Sequence, residues 1–357
     1  VIRMKNYRIK TILVSVLIVG VIAVFFFAPE VIIKGISNGL TLCAVAVIPP
    51  IFPFMILSDF IIRSGLNDLA DRFLSPVTRF LFRLPGCAGC AVLMSMVGGY
   101  PVGMKMTAQL VECGDISEKQ GRRMALFCVN AGPAFVIGTV GAVFYSDKKV
   151  GIILYISLIL SSLMMGIALR FIDGEDYADK KKTKNFDLSV FGQSVMQSTQ
   201  SMLSLCAWVI VFSGIIAIVS WLPLREDILL WLRMIIEVTG GCKSAVGTFP
   251  HSIQALVLGW AGLSVHCQFY PFIKSLNIKY SYFAFSRLIH AGLSATVADV
   301  LFRMFPIEEQ VFSTGTAVMT EVFSVSVPAG IAMLFLASFM IIEMPFSKSL
   351  QNKTKGH

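Results

Sequence analysis

Apolar residues in this chain fall into long runs, and short polar or glycine-proline marks divide them into elements. A bilayer-spanning helix needs about 20 predominantly apolar residues. The first such run is 12–28, behind Arg3, Lys5, Arg8 and Lys10. It is longer than a signal-peptide core and has no small-residue cleavage pattern before Pro29-Glu30, so it reads as a retained membrane helix with a cytoplasmic N-terminus. The second run, 35–62, carries Pro49, Pro50 and Pro53 near its middle, which predicts a break. At 66–84, Asp68, Asp71, Arg72, Arg79 and Arg83 alternate with Leu and Phe, the pattern of an amphipathic helix lying in the interface.

Run 90–110 has three glycines, a proline and a lysine at its centre and makes a poor spanning helix. It reads instead as a hairpin that enters and leaves on one side, with its tip at 98–103. Run 124–145 is interrupted at Asn130-Ala131-Gly132-Pro133, and 151–170 is an ordinary span. A hydrophilic stretch, 173–187, has nine charges in fifteen residues and separates two similar halves. The second half offers a span at 200–222 and a mixed segment at 227–247. A second hairpin is predicted at 252–272, marked by Gly259 and Gly262, and 282–302 is expected to break at His290-Ala291-Gly292. A last helix is expected at 323–344, ahead of Lys348, Lys353 and Lys355.

Two phrases recur in order, roughly 160 positions apart. Leu40-Thr41-Leu42-Cys43-Ala44 returns as Leu203-Ser204-Leu205-Cys206-Ala207, and Val129-Asn130-Ala131-Gly132 as Ile289-His290-Ala291-Gly292. Duplicated apolar units with interrupted segments are the pattern of secondary transporters. Arg63, Arg72, Arg79 and Arg83, then Lys119, Arg122 and Arg123, then Arg170 and 180–184 all fall on the cytoplasmic side by the positive-inside rule. The path then makes three crossings between Cys43 and Cys206, so the repeats are inverted; the C-terminal lysines alone fit this path poorly. The fold expected is an all-α polytopic membrane protein, an inverted internal repeat with broken helices and two re-entrant hairpins. Its parts are an N-terminal membrane helix (1–34), a first repeat (35–172), a charged linker (173–188), a second repeat (189–307), a terminal helix (308–345) and a basic tail (346–357).

Composition agrees: 56% of residues are hydrophobic and only 14% charged, against about 25% charged in soluble domains. The net charge of +9 sits at segment ends, so lipid headgroups rather than nucleic acid are its partner. Cys87 and Cys90 form one close pair without a second pair at ligand spacing, which favours small-residue packing over metal. No phosphate-binding loop, metalloprotease motif or catalytic site is visible, so neither an enzyme nor a cofactor is expected.

Polar groups at membrane depth are costly and usually functional. The tip residues Gly98, Gly99, Tyr100, Pro101 and Gly103 leave backbone groups outside a regular helix, where they must line a cavity. Lys105, about one turn on, adds positive charge and favours an anionic ligand, or else it snorkels to headgroups. Asn130 and His290 share a repeat position beside glycines and read as substrate contacts, or as polar clasps in helix packing. Ser264, His266 and Gln268 surround the second tip. Glu237, with Thr239 beside it, is either the partner of Arg233 four residues earlier or a site for a coupling proton or sodium ion.

Four blocks carry a family resemblance: 95–105 around Gly-Gly-Tyr-Pro-Val-Gly, Glu237-Val238-Thr239-Gly240-Gly241, Gly262-Leu263-Ser264-Val265-His266-Cys267-Gln268, and Arg287-Leu288-Ile289-His290-Ala291-Gly292. In these the chain resembles the sporulation integral membrane protein YlbJ family, within the nucleoside-recognition or Gate group. Met104 and Cys267 are mild departures. The resemblance implies a fold similar to concentrative nucleoside transporters and a role in spore formation. It also implies movement of dipicolinic acid, a small aromatic anion, across the outer forespore membrane. A nucleoside or nucleobase transporter and a non-transporting scaffold for spore assembly stand as alternatives. Self-association of the chain is left open.

Overall fold

The computed structural model describes residues 26–172 and 189–307, together with positions 15, 19, 20, 22 and 23. Most of the expected first helix, the charged linker and the terminal helix lie outside the described residues. Those described are helical throughout, without strands. The first long helix, α1, is Pro29–Arg63. Its prolines do not break it. A π-helical stretch, Cys43–Val47, precedes Pro49 and Pro50 and lets the helix run on through them.

The chain continues through α2 (Leu66–Phe82), α3 (Gly86–Val97), α4 (Tyr100–Glu112), α5 (Glu118–Ala125), the π-helical α6 (Ala134–Phe144) and α7 (Lys148–Leu169). The second half holds α8 (Phe191–Trp221), α9 (Glu226–Ile236), α10 (Val238–Ala245), α11 (His251–Trp260), α12 (Gly262–Ser275) and α13 (Tyr280–Met304). Among the described residues, four stretches are long and apolar enough to cross a membrane: α1, α7, α8 and His251–Ser275. Val45 and Leu203 point outward at 73% and 65% exposure, as lipid-facing side chains do. The protein is a polytopic, all-helical membrane protein.

Helix α2 turns 80° from α3 and carries Leu69, Phe73, Val77 and Phe80 outward, the apolar face expected of an amphipathic segment. Its path is fixed by close contact: a methyl on Gly86 would strike the Asp71 backbone. Helices α1 and α8 pack along one another. A methyl on Gly35 would lie 2.6 Å from Ala217 Cβ, one on Gly39 would lie 2.9 Å from Ile210 Cα, and Cys43 Sγ lies 3.7 Å from the Cys206 carbonyl. Numbers rise in one helix as they fall in the other, so the pair is antiparallel.

Two places reverse the chain. Gly103 in α4 packs against Ser95 in α3, eight residues earlier, and Gly241 in α10 lies against Met234 in α9. In a straight helix such residues would be about 10–12 Å apart along the axis. The first reversal falls within run 90–110, where a hairpin is expected. The second falls at Glu237, not at 252–272. There α11 and α12 run on as a single candidate span with a short left-handed step at Ala261 and Gly262, φ +70° and +72°. Gly259, read as part of a turn, is a packing site, where a methyl would come within 2.7 Å of Ala291 Cα. The predicted break at His290-Ala291-Gly292 is also absent, since α13 is continuous through it.

Candidate functional site

Four interruptions meet at one place. Gly99 has φ +84° and ψ −174°, a conformation that side-chain-bearing residues rarely adopt, and it lets the chain turn sharply into α4. Pro101 near the start of α4 lacks only an N–H that the first turn leaves unused. The tip touches the unwound stretch between α5 and α6: a methyl on Gly99 would come within 3.2 Å of Gly132 N. In the other half, a methyl on Gly262 would come within 2.9 Å of Val238 N, so the α9–α10 reversal touches the step before α12.

Between these contacts lies a cavity of about 90 Å³. Its lining includes Gly98, Gly99, Tyr100 and Pro101 from the first tip, Gly132, Ala134 and Phe135 from the second break, Glu237, Val238 and Thr239 from the third, and Ser264, Val265 and Gln268 from the fourth. Ala46, Val47, Pro50 and Ile51 of α1, with Leu205 and Val209 of α8, close it with apolar wall. The first turns of α4, α6, α10 and α12 all face it. Helix N-termini carry free N–H groups and partial positive charge.

Each predicted residue can now be located. Tyr100 presents its ring to the cavity while its hydroxyl donates to the Leu258 carbonyl at 2.7 Å. Glu237 does not pair with Arg233, whose Nε donates to Ser220 Oγ. Its carboxylate caps α10, accepting from Thr239 N at 2.8 Å and Gly240 N at 2.6 Å. Ser264 and Gln268, one turn apart on α12, both reach the cavity.

The remaining five lie elsewhere. Gly103 is a contact glycine against Ser95 and the Cys128 carbonyl. His266 is buried against Trp260: Nε2 donates to the Trp260 carbonyl at 3.1 Å, and Nδ1 accepts from Tyr280 Oη at 2.9 Å. His290 Nε2 donates to the Leu158 carbonyl. Asn130 Nδ2 spans Ser95 Oγ at 3.3 Å and Ser162 Oγ at 3.1 Å. Asn130 and His290 therefore both lean on α7, but one is on an unwound strand of chain and the other within a helix; they are not structural equivalents. Lys105 is turned away from the tips into a neighbouring cavity, with Nζ 3.8 Å from Asp59 Oδ1.

Two residues with clear roles were not anticipated. Arg287 is wholly buried and donates to the carbonyls of Val129 and Leu126, both at 2.7 Å. With Ser162 Oγ on the Phe127 carbonyl, it satisfies the groups that the unwound stretch frees. Asp59, also wholly buried, accepts from Arg63 Nε at 2.6 Å and from Gln109 Nε2. Its signal was a lone carboxylate inside an apolar run, four residues before an arginine.

Residues 44–169 match the Gate family, described as nucleoside recognition. The chain is 26% identical over 346 residues to YlbJ, a sporulation integral membrane protein of Bacillus subtilis, covering 84% of this chain and 85% of the relative. It is 37% identical over 94 residues to an uncharacterized protein of Methanocaldococcus jannaschii, covering 26% of this chain and 30% of that one. No solved structure matches significantly. The resemblance to YlbJ carried by the four motif blocks holds along most of the chain, and the Gate match takes in the first-half side of the cavity.

Proposed function

We propose that this chain, a Gate-bearing relative of YlbJ, is a sporulation membrane protein and secondary transporter. Its solute is a small aromatic anion, dipicolinic acid by family resemblance, carried across the outer forespore membrane. The carrying observation is the convergence of four helix first turns on one cavity between the two halves. The first turns of α4, α6 and α12 favour negative charge there, while that of α10 is already capped by Glu237. Tyr100 offers a face for a ring, and Ser264 and Gln268 offer neutral donors. Glu237 already accepts two N–H groups and keeps free lone pairs, which suits a coupling proton or sodium ion beside Thr239.

We read the two halves as an inverted repeat, and that arrangement supports the proposal. The matched motifs around Cys43 and Cys206 touch each other at an antiparallel crossing, as equivalent residues near a two-fold axis do. In each half a chain reversal abuts the next interruption, Gly99 on Gly132 and Val238 on the step at Gly262, as paired re-entrant hairpins would. The register of the halves is then tip to tip and break to break, and it replaces the pairing of Asn130 with His290.

The test is uptake by the purified chain in liposomes loaded with terbium, whose luminescence reports dipicolinate arriving inside. Gln268→Ala and Gly99→Ala, at matched protein level, should each slow uptake on the order of tenfold, the weight of one hydrogen bond or one strained turn. The Gate match favours nucleosides as a second reading, and uptake of uridine unaffected by dipicolinate would establish it instead. Well-folded protein that moves neither solute leaves the scaffold reading.

A further inference from the structure

We infer that the cavity beside the tip pocket is a separate binding station for a carboxylate-bearing anion, anchored by Lys105. This cavity, about 240 Å³, lies between α4, α8 and α12 and shares Pro101, Leu205 and Gln268 with the tip pocket. In the other direction it shares Gln197 with a surface recess beside Arg63 and Gln193. The three spaces thus lie in sequence between the Arg63 end of α1 and the tips, and the one at Lys105 is roomier than the tip pocket.

Lys105 is only 3% exposed, yet its Nζ has no hydrogen-bond partner. Asp59 Oδ1, at 3.8 Å, is beyond hydrogen-bonding reach. The Asp59 carboxylate is already taken by Arg63 and Gln109. Two cations thus share one anion; Arg63 is about a third exposed to its surroundings, so the buried group left without a partner is Lys105 Nζ. A buried ammonium without donors' partners is costly. A ligand carboxylate within reach of Nζ would remove that cost, with the amides of Gln197, Gln200 and Gln268 as neutral donors around it. Trp208 and Phe272 supply flat apolar walls suited to an aromatic body.

As a stop on a transport route the station rests on the reading above, whereas anion occupancy can be measured without transport. The probe is the part of the intrinsic emission that Trp208→Phe removes, followed in the full chain in lipid nanodiscs. Iodide should quench it, benzoate should protect it, and Lys105→Gln should lower the iodide quenching constant about fivefold while leaving quenching by neutral acrylamide unchanged. Lys105→Arg should keep iodide quenching. If benzoate gives the parent protein no protection, or if Lys105→Gln leaves iodide quenching intact, the station does not exist. Loss of terbium uptake with this quenching pattern retained would sink the transport reading alone.

Discussion

His266 and His290 each engage both ring nitrogens with protein groups, which holds each as a neutral ring with the proton on Nε2. Neither has a nitrogen to spare for a solute. A buried histidine with two partners is a structural piece, and the polar blocks of the second half owe their positions to packing as much as to the cavity. Gly292 makes the same point. It lies on the exposed side of an unbroken helix, with nothing within 4 Å of a methyl added there. Gly292→Ala should therefore raise stability by about 0.5–1 kcal/mol and leave uptake unchanged. A thermal midpoint measured in detergent checks the first part. Lost uptake with intact stability would return the position to the functional site. At Gly99 the opposite holds, because the positive φ strains any residue with a side chain and a methyl there would press within 3.2 Å of Gly132 N.

The breaks persist because their freed groups find partners. Leu126 and Val129 present carbonyls to the two arms of one guanidinium, a fork that a single ammonium cannot reproduce. Arg287→Lys should cost about 1–3 kcal/mol for the carbonyl left bare. Amide hydrogen exchange should quicken at 126–132 ahead of the rest of the protein; a uniform rise would show that Arg287 clamps nothing locally. The sequence made the first tip readable because Gly-Gly followed by Pro has few other uses in a membrane helix. The second reversal was hidden, since its mark is one carboxylate capping a helix and Glu237 also sits at ion-pair spacing from Arg233. Glycine alone misled: Gly259 and Gly292 look like hinges, but one is a contact surface and the other a passive helix position. Likewise Lys105 follows the tip closely in sequence, yet the turn of α4 carries it to the other side of Pro101 and into the neighbouring cavity. Spacing reveals which residues share a helix; which cavity they enter depends on how α4, α8 and α12 assemble.

Across the whole molecule, the halves meet along α1 and α8, where glycines bring the backbones into direct contact. Further contacts join α7 to α13 and to His290. Each half lacks part of the cavity wall without the other. Segments 1–172 and 173–357 expressed as separate chains should co-purify and share the thermal midpoint of the intact protein to within a few degrees. Gly39→Leu should abolish that association by wedging α1 from Ile210. Separate halves that fail to meet would mean the covalent connection holds the assembly together. The contact between Cys43 and Cys206 also bears on ancestry. On the inverted-repeat reading proposed above, a short forebear that inserted into the bilayer in both orientations would have met its own copy at this crossing, so that one ancestral residue faced itself. Fusion would then have freed the two copies to diverge. On that reading, the lopsided chemistry of the present cavity, with a carboxylate at one reversal and bare glycines at the other, is what such freedom leaves behind.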